Sequence, residues 1–116
     1  MSDIKDFAKR VIDFRDARDW KQFHNPKDEA LSLMLEAAEV LEHFQWKNGK
    51  ELEEYAKTHK EHIGEELADV LYWVLLMSND LDIDIGKTFE AKMKKNEEKY
   101  SVEKAKGNNK KYTELT

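Results

Sequence analysis

Four carboxylates are the groups of this chain most able to do chemistry: Glu36 and Glu39 in ALSLMLEAAEVL, and Glu66 and Asp69 in IGEELADVLYWVLLM. Between Ala30 and Leu41 only Ser32, Glu36 and Glu39 are polar, and at ~100° per residue they fall in one narrow sector of a helix. A helix that is apolar nearly all round is a buried helix, so the two glutamates are expected to point into protein. Glu66 and Asp69, three apart, share a face of a second apolar helix in the same way. Isolated buried carboxylates are very costly and must be paired, protonated or bound to a cation. Glu at i and i+3 is common on solvated faces, where it is structural. Here the pairs interrupt apolar helices that would neighbour each other in a bundle, which favours a metal site.

Ligand type narrows the metal. Carboxylate oxygens, with no cysteine in the chain and no obvious histidine partner, suit Mg²⁺, or Mn²⁺ as a substitute, better than zinc. A di-iron bundle places Glu-x-x-His on two helices, and none of His24, His43, His59 or His62 has a glutamate three residues before it. Magnesium on carboxylates most often holds phosphates, so the expected substrate is a phosphate ester or anhydride.

Helices must position these groups. Ile4, Phe7, Val11 and Phe14 recur at three- and four-residue steps, predicting a first helix over 3 to about 20 with Ser2 as N-cap. Pro26, the only proline, suits the first position of a second helix capped by Asn25, with Asp28 and Glu29 where the helix dipole favours acids. That helix is expected to run to about 47 and stop at Asn48 and Gly49. The polar KELEEYAKTHKEH reads as a short exposed helix or an irregular connector. A third main helix spans roughly 60 to 80, and Ile85, Phe89, Met93 and Tyr100 mark a fourth. Asn96 lies nearly in line with Phe89 and Met93 on that stripe, with Lys92 and Lys99 one edge over. Residues 1–100 therefore form one helical domain, and the polar residues 101–116 a loosely held tail.

Composition agrees. Charged residues make up 39 % of the chain, while glycine and proline together number five, which favours helix with short connections. The chain is short for burying two all-round apolar helices by itself, so self-association is expected. A formal net charge of −5 argues against general affinity for nucleic acid. The start lacks an apolar signal core and no apolar run approaches a membrane span, so a cytoplasmic protein is expected.

LMLEAAEVLEHFQW followed by EELADVLYW resembles the MazG-type all-alpha nucleoside triphosphate pyrophosphohydrolases, whose signature is ExxE, a spacer, then ExxD. RDWKQFHNPK, FQWK and KMKKNEEKY are similar, more narrowly, to the dCTP pyrophosphatase branch, over about residues 13 to 100. The resemblance implies an all-α, four-helix-bundle-like fold, assembled as a dimer or dimer of dimers with sites near subunit interfaces. It implies Mg²⁺-dependent hydrolysis of a nucleoside triphosphate to the monophosphate and pyrophosphate, in a house-cleaning role, with dCTP or a related pyrimidine deoxynucleotide favoured. Glu36, Glu39, Glu66 and Asp69 match the metal ligands, and His24, Trp46, Trp73, Lys92 and Asn96 fall where the branch contacts substrate. Trp73 stands where a tyrosine is expected, and Ser101 where a proline often follows.

The residue chemistry supports these roles. A triphosphate needs a cation and cationic donors, and Lys92 and Lys99 are available on the fourth helix. Asn96 can orient a phosphate or sugar oxygen, while Trp20, Phe23, Trp46 and Trp73 offer flat faces for a base, with core packing as the commoner fate of each. With no nucleophilic side chain evident, water is expected to attack the alpha-phosphorus, with Glu36 and Glu39 as catalytic carboxylates and Glu39 as base. The alternative is a non-catalytic helical homo-oligomeric interaction protein. A nucleic-acid binder using Lys92 to Lys111 ranks last, because Glu90, Glu97, Glu98 and Glu103 are interspersed there.

Overall fold

The computed structural model describes residues 3–115, and all regular structure among them is helical. Helix α1 is Ile4–Ala17, α2 Pro26–Glu42, α3 Gly49–Thr58, α4 Lys60–Asp80, α5 Ile85–Lys99 and α6 Val102–Ala105, with short 3₁₀ turns at Lys21–Phe23 and Tyr112–Glu114. No described helix is long and apolar enough to cross a membrane. The chain falls into two compact units, residues 1–83 and 84–116, divided in the turn before α5.

Local chemistry sets the helix ends. Ser2 lies outside the described residues; Asp3 caps α1, accepting from the Asp6 amide at 3.0 Å while Asp6 reaches back to the Asp3 amide. This reciprocal pair satisfies two otherwise orphaned donors. Asn25 caps α2 as expected, accepting from the Asp28 amide at 2.9 Å, with Pro26 at the first position. α2 stops sooner than the sequence suggests, at Glu42. The chain leaves it through a turn in which the Phe44 and Gln45 amides both bond the Leu41 carbonyl. Trp46 takes the left-handed conformation there, at φ 71°. Gly49 is also left-handed, at φ 56°, but it opens α3 instead of closing α2. The polar connector is thus helical, and its Leu52, Tyr55 and His59, at three- and four-residue steps, are its half-buried side.

In the first unit α2 and α4 form the main helix pair, with α1 and then α3 laid against α4. The fully apolar core is small, centred on Leu75 and Leu76. α2 is not covered all round: Met34 and Leu35 are 70 % and 66 % exposed, and Leu31 and Leu41 are exposed with them. Its apolar residues serve two faces, one packed on α4 and one open. α1 likewise differs from expectation. Ala8, Val11, Ile12 and the fully buried Arg15 form its inward side, while Phe7 and Phe14 remain partly exposed.

In the second unit Asp84 caps α5 through the Lys87 amide at 3.1 Å. The residues after α5 have fixed contacts: Tyr112 meets Tyr100 edge-on at 6.2 Å, and the Lys99 ammonium lies 4.6 Å from the Tyr112 ring centre. Aromatic and cation–π contacts of this kind hold the tail against the end of α5.

Candidate functional site

The pairing of α2 with α4 brings the two acidic motifs together. One oxygen from each of Glu36, Glu39 and Glu66 lies within 4.8 Å of the others. Asp69, one turn along α4 from Glu66, is close enough for its charge to raise the carboxyls of both Glu36 and Glu66. Burial is the larger cause for Glu36, followed by the charge of Glu39. For Glu66 the leading cause is a hydrogen bond shared with Glu39, then burial. Carboxylates so crowded cannot all ionise unless a cation joins them. One Glu36 oxygen, Oε2, is buried with no hydrogen-bond partner. Hard oxygen donors, mutual repulsion and an orphaned buried acceptor together fit a hard divalent cation.

Beside the acids opens a cleft of about 820 Å³ walled largely by aromatic residues, a size that suits a small-molecule ligand. Phe7 and Phe14 of α1, Trp20 and His24 of the connecting turn, and Tyr72 and Trp73 of α4 face it, with Glu36 and Asp69 on its lining. The sequence-expected residues His24 and Trp73 therefore meet here, their rings edge-to-face at 5.3 Å. Phe7, Val11 and Phe14 of the apolar stripe of α1 line the cleft. Arg10 also lines the cleft.

Trp46 is 87 % exposed and is not on the cleft lining. Lys92 and Asn96 belong to the second unit, on α5, where the Asn96 amide approaches the Met93 sulfur at 3.9 Å and Lys92 is exposed.

Two groups of residues were not evident from sequence. His43, the residue that closes α2, seven after Glu36 and four after Glu39, places Nε2 3.7 Å from Glu66 Oε1. Its other nitrogen, Nδ1, is 2.7 Å from the Tyr55 hydroxyl. The acid cluster thus has a histidine neighbour, which the Glu-x-x-His pattern does not detect. The second group is a buried ionic cluster behind His24. Arg15 Nη1 donates to Asp80 Oδ2 at 2.6 Å, and Nε donates to Asp16 at 3.1 Å. The almost fully buried Glu29 has an oxygen within 4.8 Å of ligand atoms of His24 and Asp80. Burial first, then Asp80, push the Glu29 carboxyl up to about 7, against the opposing pull of Arg15. Burial would raise Asp80 too, but the Arg15 guanidinium, followed by the neighbouring Glu29 carboxyl and Asn79, holds it below the usual carboxylate range. Both Glu29 oxygens are buried with no hydrogen-bond partner, so the site favours the neutral, protonated acid.

Fold and site together define an all-α scaffold whose facing helices carry a carboxylate cluster at the edge of an aromatic cleft. Residues 31–115 match the model of the MazG-like family. The chain belongs to that family. It is 34 % identical to dCTP pyrophosphatase 1 of Rattus norvegicus over 114 residues, covering 97 % of this chain and 67 % of that one. Against dCTP pyrophosphatase 1 of Homo sapiens the identity is 32 %, with the same coverage. A solved structure of a pyrophosphatase from Archaeoglobus fulgidus is similar at a TM-score of 0.79 and 35 % identity, over 87 % of this chain and 94 % of that one.

Proposed function

We propose that this chain hydrolyses a deoxynucleoside triphosphate, dCTP or a related pyrimidine deoxynucleotide, to the monophosphate and pyrophosphate, with Mg²⁺ held by Glu36, Glu39, Glu66 and Asp69. Kinship over nearly the whole chain with proteins named as pyrophosphatases makes it an enzyme, a hydrolase of nucleotide pyrophosphate bonds. The non-catalytic interaction protein is thereby set aside. The observation that carries the finer reading is the shared lining of one cleft by carboxylates and aromatic rings. A nucleotide has that same division, an anionic phosphate chain needing a cation and a flat base needing an aromatic wall.

In this reading His24 and Trp73, which line the cleft, hold the base or sugar. Bound Mg²⁺ supplies charge neutralisation on the triphosphate and the departing pyrophosphate. Glu39 orients a water toward the alpha-phosphorus and takes its proton, and Glu36 fixes the geometry of that attack from the same helix face. The open apolar face of α2 is covered by a second copy of the chain, in a homodimer or homotetramer.

The test is a panel of deoxynucleoside and ribonucleoside triphosphates with Mg²⁺, with products separated by ion-exchange chromatography and the reaction run in ¹⁸O-water. Expected are monophosphate and pyrophosphate, fastest from dCTP, with the label in the monophosphate. Release of orthophosphate, or of nothing from any nucleotide, would overturn the proposal.

A further inference from the structure

The polar helix α3 has no part in binding or catalysis as described above, yet it aims one hydroxyl inward. Tyr55 occupies its half-buried side, and its oxygen lies 2.7 Å from His43 Nδ1. The phenol is itself braced: its ring stacks on His59 at 3.8 Å and 9°, and the Lys47 ammonium sits 4.2 Å from the ring centre. Packing of this kind holds the hydroxyl in one place, since the ring can neither swing toward His59 nor lift away. On the far edge of the imidazole, Nε2 is 3.7 Å from Glu66 Oε1. His43 and Glu66 are sheltered there, with side chains 15 % and 24 % exposed.

The Tyr55 hydroxyl can donate to Nδ1 or accept from it, and the carboxylate beyond decides between the two. A hydroxyl donating to Nδ1 leaves the proton of the neutral imidazole on Nε2, facing the carboxylate. The opposite tautomer would set a nitrogen lone pair against a carboxylate oxygen, which is repulsive. Tyr55 satisfies Nδ1 in the tautomer that Glu66 favours, and so holds the ring where His43 attracts Glu66. A carboxylate that ligates a metal is oriented by such outer partners, whose loss typically costs 10–100-fold in metal affinity.

We propose that Tyr55 and His43 form a positioning relay that holds the carboxylate of Glu66 in its ligating orientation, making α3 a buttress of the cation site. The relay rests on the reading of Glu66 as a metal ligand. Neither residue touches substrate in this scheme; Tyr55 acts through His43, and His43 through Glu66.

The experiment is Mn²⁺ binding by the native protein and by variants, read from the electron paramagnetic resonance of free Mn²⁺, alongside thermal melting of the metal-free proteins. Tyr55→Phe and His43→Leu are each expected to weaken Mn²⁺ binding about tenfold, and the double variant no further, since the two act in series. His43→Gln, whose amide nitrogen can stand in for Nε2–H, should stay within about threefold of native. Metal-free melting of Tyr55→Phe and His43→Gln should match the native protein. Native affinity in both Tyr55→Phe and His43→Leu, or additive losses in the double variant, would overturn the relay while leaving the metal site intact. A native protein that binds no Mn²⁺, with Glu66→Gln indistinguishable from it, would overturn the metal reading and the relay with it.

Discussion

Replacing Glu29 by glutamine should make the protein more stable at high pH and leave it nearly unchanged at low pH. The Glu29 carboxyl is raised from 4.5 to about 7, so the folded state holds a proton that the unfolded chain releases. The stabilisation is fully present below the unfolded value and is lost as pH rises through the folded one. At about 1.4 kcal/mol per unit, the loss between pH 5 and 8 is roughly 2.5 kcal/mol. Asp80 is shifted the opposite way and titrates below this window, so it adds no slope there. Glutamine mimics the protonated acid: it has the same shape and carries no charge. Thermal melting of both proteins at matched concentration, at pH 5, 6, 7 and 8, isolates the effect, because the two proteins differ in this one ionisable group. For a domain of this size the variant should gain on the native protein by about 10 °C across that range. A difference in melting temperature that does not change with pH, or a variant less stable than native at pH 8, would refute the reading of Glu29 as a buried acid that keeps its proton.

Other consequences follow from the same geometry. Arg15→Met should destabilise the protein by about 3 kcal/mol, because it strands the buried Asp80 charge; urea unfolding at pH 7 measures it, and Arg15→Met combined with Asp80→Asn should recover most of the loss. Glu39→Gln should lower turnover at least a hundredfold while retaining nucleotide affinity, checked by calorimetric titration with a non-hydrolysable dCTP analogue; turnover near native would remove Glu39 from the base role. Trp73→Ala should raise KM for dCTP about tenfold or more, whereas Trp73→Phe should stay within a few fold, as expected of a ring that walls the cleft. Leu35→Glu should shift the native assembly to a smaller species in sedimentation analysis, since the residue is 66 % exposed on the open face of α2.

Much of the site was legible because one periodicity carried it. Glu36, Glu39, Glu66 and Asp69 stand out as the polar exceptions on apolar helices, and that pattern alone requires a face-to-face pair of helices. The helix start at Asn25 followed from capping chemistry. The C-terminus of α2 did not, because the helix gives way to a turn with Trp46 in a left-handed conformation that a bulky residue rarely adopts. Arg15, Glu29 and Asp80 each look ordinary in sequence. Glu29 fits the acid-rich first turn of α2, and only the approach of α1 to α4 reveals that it is buried against two other charges. His43 was missed because its partners, Glu66 and Tyr55, lie on two later helices. The stripe of Phe7 and Phe14 marked a helix but not its use, because a hydrophobic stripe does not distinguish a packed face from one that lines a cleft.

The most direct measurement is the initial rate of pyrophosphate release from dCTP for the native protein and Glu36→Gln, each with Mg²⁺ and with an excess of chelator. Glu36 serves best because it joins the acid cluster to the cleft lining and carries the orphaned buried oxygen. Metal-dependent release by the native protein, at least a hundredfold slower in Glu36→Gln, is the expected result. Equal rates with and without chelator, or a Glu36→Gln variant as fast as native, would contradict a carboxylate-held cation as the centre of this enzyme.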